Sequence, residues 1–283
     1  MLRWYEANET GFTVATGTHP IMICLDGANL WVGNYNAGSV IKIRSIDGVG
    51  IASYVVGNRP RGLAFDGTNI WVTNFQSDTV TKLRARDGAN QGTFTVGDGP
   101  VAPVFDGKNV WVTHYNDNTV KKLRPSDGAV LATFPVGLGP QEAAFDGANI
   151  WIANTLDDTV TKLRVSDGAN MGTFPTGDEP TGIAFDGVNL WVVNFNAGTV
   201  TKLRASDGAV QGTYTVGGEP FGIAFDGSSI WVTESLGNTV IKLRPSDGAI
   251  LGTFATGNSP EGVAFDGFSM WVANSQGNTI TKF

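Results

Sequence analysis

Cysteine is nearly absent: Cys24 stands alone, which excludes an intrachain disulfide framework and any multi-cysteine metal site. Charge is sparse, at 16% of residues against a typical ~25%. What charge there is leans negative, with a formal net of −7, and this argues against nucleic acid, whose phosphates are held by clustered Lys and Arg. No apolar run approaches the ~18 residues of a membrane span, and the N-terminal stretch MLRWYEANETGF lacks the apolar core of a signal peptide. The expectation is a soluble chain that engages no membrane, with its compartment left open. Hydrophobic residues nevertheless reach 41%, enough for a packed core and too many for a disordered chain.

Glycine is abundant, at 38 of 283 residues, and its placement reveals a period of 40 residues without insertion or deletion. Proline recurs from Pro20 to Pro260 and tryptophan from Trp31 to Trp271, seven times each. One Asp-Gly pair recurs seven times, from Asp26-Gly27 to Asp266-Gly267, and a second recurs six times, from Asp47-Gly48 to Asp247-Gly248. The apolar segments between these turn signals are short and rich in Val, Thr, Phe and Trp, which suits pleated surfaces and excludes helical repeats. In the fifth unit four strands are predicted: Gly182–Phe185 (A), Leu190–Asn194 (B), Thr199–Arg204 (C) and Gly212–Val216 (D). Asp-Gly joins A to B and C to D as tight hairpins. Seven such antiparallel units describe an all-β, seven-bladed β-propeller that fills residues 1–283 as one domain. The last unit ends inside strand C, and Thr13–Gly17 (TVATG) matches Thr253–Gly257 (TFATG). The N-terminal strand is therefore expected to complete the last blade and close the ring; Leu2-Arg3 resembles the end of strand C.

Antiparallel order places the A–B and C–D turns on one face and the B–C and D–A loops on the other. The first face is uniform. On the second, the residue after the proline varies: Ile21, Arg61, Val101, Gln141, Thr181, Phe221 and Glu261. Divergent loops on a rigid scaffold are the usual home of binding, so this face is expected to carry the function. The repeated cations of strand C and the repeated aspartates number thirteen each and cancel, so the net charge arises at non-repeated positions. Eleven of those acids fall on the divergent face or its rim, opposed there by Arg59 and Arg61. An acidic mouth of this kind would draw cationic ligands or a basic protein patch.

Among single residues, the repeated tryptophans read as inter-blade packing because they occupy identical positions. The strand C Lys and Arg read as charge-paired stems, and Cys24 as a small buried thiol. Strand B ends in Asn in five copies but in His114 and Glu234 in two, giving a candidate base and a candidate acceptor or cation ligand whose other reading is surface substitution. His19, beside Pro20, takes the same two readings. Tyr35, Phe75, Tyr115 and Phe195 follow strand B as an aromatic arc, either facing the mouth or capping blade edges. Glu142, Glu234 and Glu261 could serve as oxygen ligands for Mg²⁺ or Ca²⁺, although no calcium-loop spacing is present and no cofactor is required.

The unit PxGIAFDGxxLWVxN…TVxKL resembles the repeats of the virginiamycin B lyase family and, more loosely, NHL and YVTN-type propellers, over all seven copies from about Pro20 to Phe283. The resemblance implies a propeller and, in the family, opening of an ester-closed antibiotic ring by elimination with bound Mg²⁺ and a general-base histidine after the blade proline. A glutamate past strand B of the same blade assists it. The corresponding places in the final unit are Glu261 and Asn274, and no unit has His directly after its proline. The family's catalytic pair therefore does not carry over. The leading expectation is a monomeric, non-catalytic binding or scaffold propeller, with Arg61, Gln141, Phe221, Glu261 and the aromatic arc contacting a small molecule or basic partner. The alternatives are a C–O lyase with relocated residues, His114 and Glu234, and a purely structural or engineered array.

Overall fold

The structure, a computed structural model, describes residues 12–283. Leu2-Arg3 lies outside the described residues. Among the described residues twenty-eight strands form seven four-stranded antiparallel sheets, a seven-bladed β-propeller. In the first blade the strands run from the inner Pro20–Leu25 through Asn29–Asn34 and Ser39–Arg44 to the outer Gly50–Val55. The last sheet takes its outer strand from the other end of the chain: Phe12–Ala15 pairs with Thr279–Lys282 in the register Phe12↔Lys282 and Val14↔Ile280. The ring is thus closed as the TVATG match predicts, and no outer position of the seventh sheet is left open.

Strand positions agree with the sequence reading to within about two residues, but the Asp-Gly connections are longer than two-residue hairpins. In the fifth blade Asp186–Val188 links A to B and Ala205–Ala209 links C to D. Aspartate shapes the first connection directly. Asp186 Oδ1 accepts the Val188 and Asn189 backbone N–H groups at 2.9 and 2.6 Å, and Oδ2 accepts the Trp191 indole N–H at 2.8 Å. Burial would raise the Asp186 carboxyl, but these donors outweigh it and hold it below the usual carboxylate range.

That indole is the centre of the blade contact. Trp191 is fully buried with Val193 and Val200 against Ile230, Val232 and Leu243 of the next blade. It stacks on Tyr214 of its own outer strand at 5.7 Å and lies beneath Lys202 Nζ at 5.0 Å. Lys202 then donates to the Pro245 carbonyl across the blade boundary at 2.6 Å. The same reach recurs from Lys42 to Ala85 and, across the ring closure, from Lys282 to Ser45. The paired-stem reading thus divides. Arg44 and its repeats pair with the second Asp-Gly aspartate, as in Arg44–Asp47 at 2.7 Å, whereas the lysines chiefly cover tryptophan and tie blades together. The turn glycine of the second pair is needed for close approach: a Cβ on Gly88, at φ +71°, would fall 2.0 Å from the Tyr54 ring of the preceding blade.

Replacing Trp191 by Phe removes the indole donor to Asp186 and weakens the cation–π contact while keeping an aromatic ring. The expected loss is about 1–2 kcal/mol in denaturant unfolding. A change of only a few tenths would show the indole N–H to be idle.

Candidate functional site

The divergent face is built by a bulge in each inner strand. In the second blade Pro60 pairs with Asn74 and Leu63 with Val72, so Arg61 and Gly62 together oppose Thr73. A one-residue bulge re-aims the side chain beside it, a device common at ligand sites. Thr73 Oγ1 accepts the Gly62 N–H at 2.8 Å and donates to the Val101 carbonyl of the next inner strand. Thr113 donates likewise to the Gln141 carbonyl at 2.6 Å, and Thr233 to the Glu261 carbonyl at 2.7 Å. The threonine before the end of strand B therefore sets where the neighbouring post-proline residue stands. Sequence reasoning missed this role, and the signal available was Thr alternating with Gly, Ala or Val at that position.

The residue before the recurring proline that opens each blade is left-handed in every copy. Glycine occupies it twice, but His19 (φ 58°), Arg59 (54°), Glu179 (58°), Glu219 (55°) and Ser259 (53°) hold it elsewhere. Such strain costs on the order of 1 kcal/mol per residue and clusters at functional surfaces. Side chains from the preceding blade support several of these turns: Asn278 Oδ1 accepts the His19 N–H at 2.9 Å, and Asp158 Oδ1 accepts that of Glu179 at 2.9 Å.

Within this rim lies a cavity of about 220 Å³ at the channel mouth, lined by His19, Ile21, Met22, Tyr35, Arg61, Gln141, Glu142, Phe221 and Glu261. Five of the eight ligand-contact candidates named from sequence line it directly: Tyr35, Arg61, Gln141, Phe221 and Glu261. The other three stand behind them. Phe75 lies under the Arg61 guanidinium at 5.3 Å, Phe195 packs edge-on against Phe221 at 6.2 Å, and Tyr115 contacts Phe75 at 6.5 Å. Arg61 donates to Gln141 Oε1 at 3.1 Å, spanning the channel from the second blade to the fourth.

Glu142 occupies the bulge position that is glycine in four other blades, where a Cβ would crowd the adjoining inner strand, 2.1 Å from the Glu261 carbonyl at Gly222. Its side chain keeps some surface open to the cavity while the walls withdraw it from bulk water. Burial pushes its carboxyl up to about 7, against the pull of Arg61. Burial likewise raises Glu261, opposed by Ser275, His19 and Arg61. His19 Nε2 stands 3.7 Å from Glu261 Oε1.

His114 and Glu234 do not line this cavity. They replace a structural clamp. Asn74 Oδ1 accepts the Gly57 N–H at 3.0 Å, and its Nδ2 donates to Thr79 and Thr81 at 3.1 and 2.9 Å. Glu234 keeps part of that role, accepting from Gly237 N–H at 2.9 Å and Thr239 Oγ1 at 3.1 Å. His114 is fully buried, with Nδ1 on the Val112 carbonyl at 3.0 Å and Nε2 without a partner among the described residues. Burial, then Lys121, pushes it down to about 4. Cys24 is half-buried, and burial reinforced by Asp26 pushes its thiol up to about 12, so it stays protonated.

Of the proposed oxygen ligands, Glu142 and Glu261 share the cavity and Glu234 does not. Among the described residues no group of three or more His, Cys, Asp or Glu is placed to hold a metal ion. The residues present thus do not form the three-carboxylate set considered from sequence. The rim acids also divide. Asp78, Asp157 and Asp158 accept backbone N–H groups of the loops. Asp117 pairs with Lys121 at 3.2 Å, adding a third cation to this face beside Arg59 and Arg61. Burial raises Glu179, helped by Asp178, Asp158 and Glu219.

No helix among the described residues is long and apolar enough to cross a membrane. No protein-family model and no curated protein matches the sequence. Solved structures do match in fold. Streptogramin B lyase aligns at TM-score 0.82 with 19% identity over 98% of this chain and 99% of its own. Virginiamycin B lyase from Staphylococcus aureus aligns at 0.82 with 19% identity over 96% and 98%. Hydrazine synthase of Kuenenia stuttgartiensis aligns at 0.82 with 17% identity over 100% and 98%. At these identities the likeness is one of architecture: the chain is a seven-bladed β-propeller similar in fold to the B lyases and to a protein named for different chemistry.

Proposed function

We propose that the protein is a binding propeller that takes a small molecule at the mouth of its central channel, without catalysing its conversion. One observation carries this reading: divergent residues of different blades, Arg61, Gln141, Phe221 and Glu261, converge on a single cavity, while the repeated residues hold blades together. The cavity combines an apolar wall with a few polar groups, as ligand sites do. Its volume of about 220 Å³ lies below the ~300 Å³ at which pockets for drug-sized ligands begin, which favours a compact ligand over a large macrocycle. Thermal-shift screening of a fragment library should yield compounds that stabilise the wild type and bind at least tenfold more weakly to Arg61→Ala and Phe221→Ala, with folding of both variants checked by circular dichroism. Hits that bind both variants unchanged would move the site elsewhere.

A second reading, a B-lyase-type enzyme with relocated residues, is favoured by one contact. His19 and Glu261 approach to 3.7 Å inside the cavity, an imidazole beside a carboxylate of the kind general bases use. Mg²⁺-dependent opening of a cyclic depsipeptide, lost in His19→Ala, would replace the binding reading. Absence of turnover by the wild type would remove the lyase.

A further inference from the structure

Resting on the binding reading above, we infer that the mouth is built for a small zwitterion, a free amino acid with an apolar side chain, held through its carboxylate by Arg61 and through its ammonium by Glu142 and Glu261.

The inference starts from opposite charges, Arg61 against Glu142 and Glu261, that share a cavity without forming an ion pair within 4.0 Å. Arg61 stacks on Phe75 and donates to the neutral amide of Gln141. Among the described residues it forms no ion pair within 4.0 Å, which leaves guanidinium N–H groups available for a carboxylate. Glu142 accepts no hydrogen bond among the described residues, although its surroundings exclude bulk water. Glu261 has the neutral Ser275 hydroxyl and the longer contact to His19 beside it, and no Lys or Arg within 4.0 Å among the described residues. Partly desolvated charges without a close ion-pair partner are unfavourable, and their presence at positions where other blades carry Gly, Val or Thr calls for a ligand that satisfies both signs.

A ligand of one charge fits poorly. A simple cation would be drawn to Glu142 and Glu261 but repelled by Arg61, and a simple anion would meet the reverse. Only a molecule bearing both signs gains at each end, and the mismatched charge supplies discrimination against the others. Size narrows the class further. About 220 Å³ is the liquid volume of roughly seven waters at ~30 Å³ each, room for an amino acid and too little to enclose a longer peptide. Ile21, Met22 and Phe221 form the apolar side of the same cavity, which suits a hydrocarbon side chain.

Titration calorimetry with three probes tests the idea on the intact protein: L-leucine, L-leucinamide, which keeps only the ammonium, and N-acetyl-L-leucine, which keeps only the carboxylate. L-leucine is expected to bind the wild type at least tenfold more tightly than either analogue. Arg61→Gln should remove that advantage over leucinamide. Because the Glu142 carboxyl titrates at about 7, leucine affinity should rise up to about tenfold from pH 6 to pH 8 as the competent fraction grows. Arg61, Glu261 and His19 face the same cavity, so the rise is assigned by its loss in Glu142→Gln. If either single-charge analogue binds as tightly as leucine, the zwitterion inference is overturned and the binding site stands. If all three are silent while neutral fragments still occupy the mouth, the ligand class is wrong. If leucine and every fragment fail, both readings fall together.

Discussion

Glu142→Gln is expected to make the protein more stable by about 2 kcal/mol at pH 8, and by less than about 1 kcal/mol at pH 5. The folded protein holds a proton on Glu142 up to about 7, whereas a free glutamate releases it near 4.5. Between those values the folded state binds more protons than the unfolded chain, so stability falls as pH rises through the window and the full cost is present above it. At ~1.36 kcal/mol per pKa unit the shift corresponds to roughly 3 kcal/mol, and water admitted by the cavity brings the figure to about 2. Glutamine has the shape of the protonated acid and cannot ionise. For a domain of this size the gain should raise the melting temperature by about 5 °C. Equal stabilisation at pH 5 and pH 8 would show that ionisation is not the cause. A stabilising substitution that also weakens ligand binding is the expected mark of a residue kept for function.

His114→Asn should act at the opposite end of the pH scale. Wild-type His114 stays neutral in the folded protein down to about 4, while the unfolded chain takes up the proton near 6.5. The stabilisation is present above 6.5 and is lost as pH falls through the folded value, by roughly 3 kcal/mol for a shift of this size. Two contacts explain the shift. The ring is buried with Nε2 unpartnered, and Lys121 stands where other blades carry a neutral threonine such as Thr81. Asparagine restores the residue used by five other blades and offers the orphaned Thr119 hydroxyl the partner that Thr79 finds in Asn74 at 3.1 Å. The variant is expected to gain about 1 kcal/mol at pH 7 and more at pH 4.5, most clearly in His114→Asn/Lys121→Thr. Unfolding in urea across pH 4–8 measures the difference; parallel curves for variant and wild type would contradict the assignment.

Much of the fold could be read from spacing because each repeated residue serves one local purpose. Asp186 caps its turn, Trp191 fills the blade boundary and Lys202 bridges to the next blade, so all three recur at fixed intervals. Closure was legible in TVATG because a strand completing a sheet must resemble the strand it replaces. The mouth was legible by position, through the post-proline residues, but not in detail. The His19–Glu261 contact joins the first and last units across the ring closure, where distance along the chain conceals proximity. His114 and Glu234 looked chemical because they differ from Asn, yet each stands where other blades place a hydrogen-bonded clamp, and for His114 the accompanying Lys121, at the position of Thr81, was the sign of it. Glu142 was noticed as a carboxylate rather than as a side chain in a glycine's place, which is the property that makes it unusual. Several rim acids, Asp78 and Asp158 among them, looked like a field for ligands and instead fasten loops.

Crystallographic fragment screening of the intact protein tests the convergence of divergent residues most directly. Density for bound fragments should gather in the cavity between Arg61, Glu142, Phe221 and Glu261, in contact with both signs of charge. Fragments confined to the Asp-Gly face or the outer strands, with the mouth left to solvent in every crystal, would contradict it.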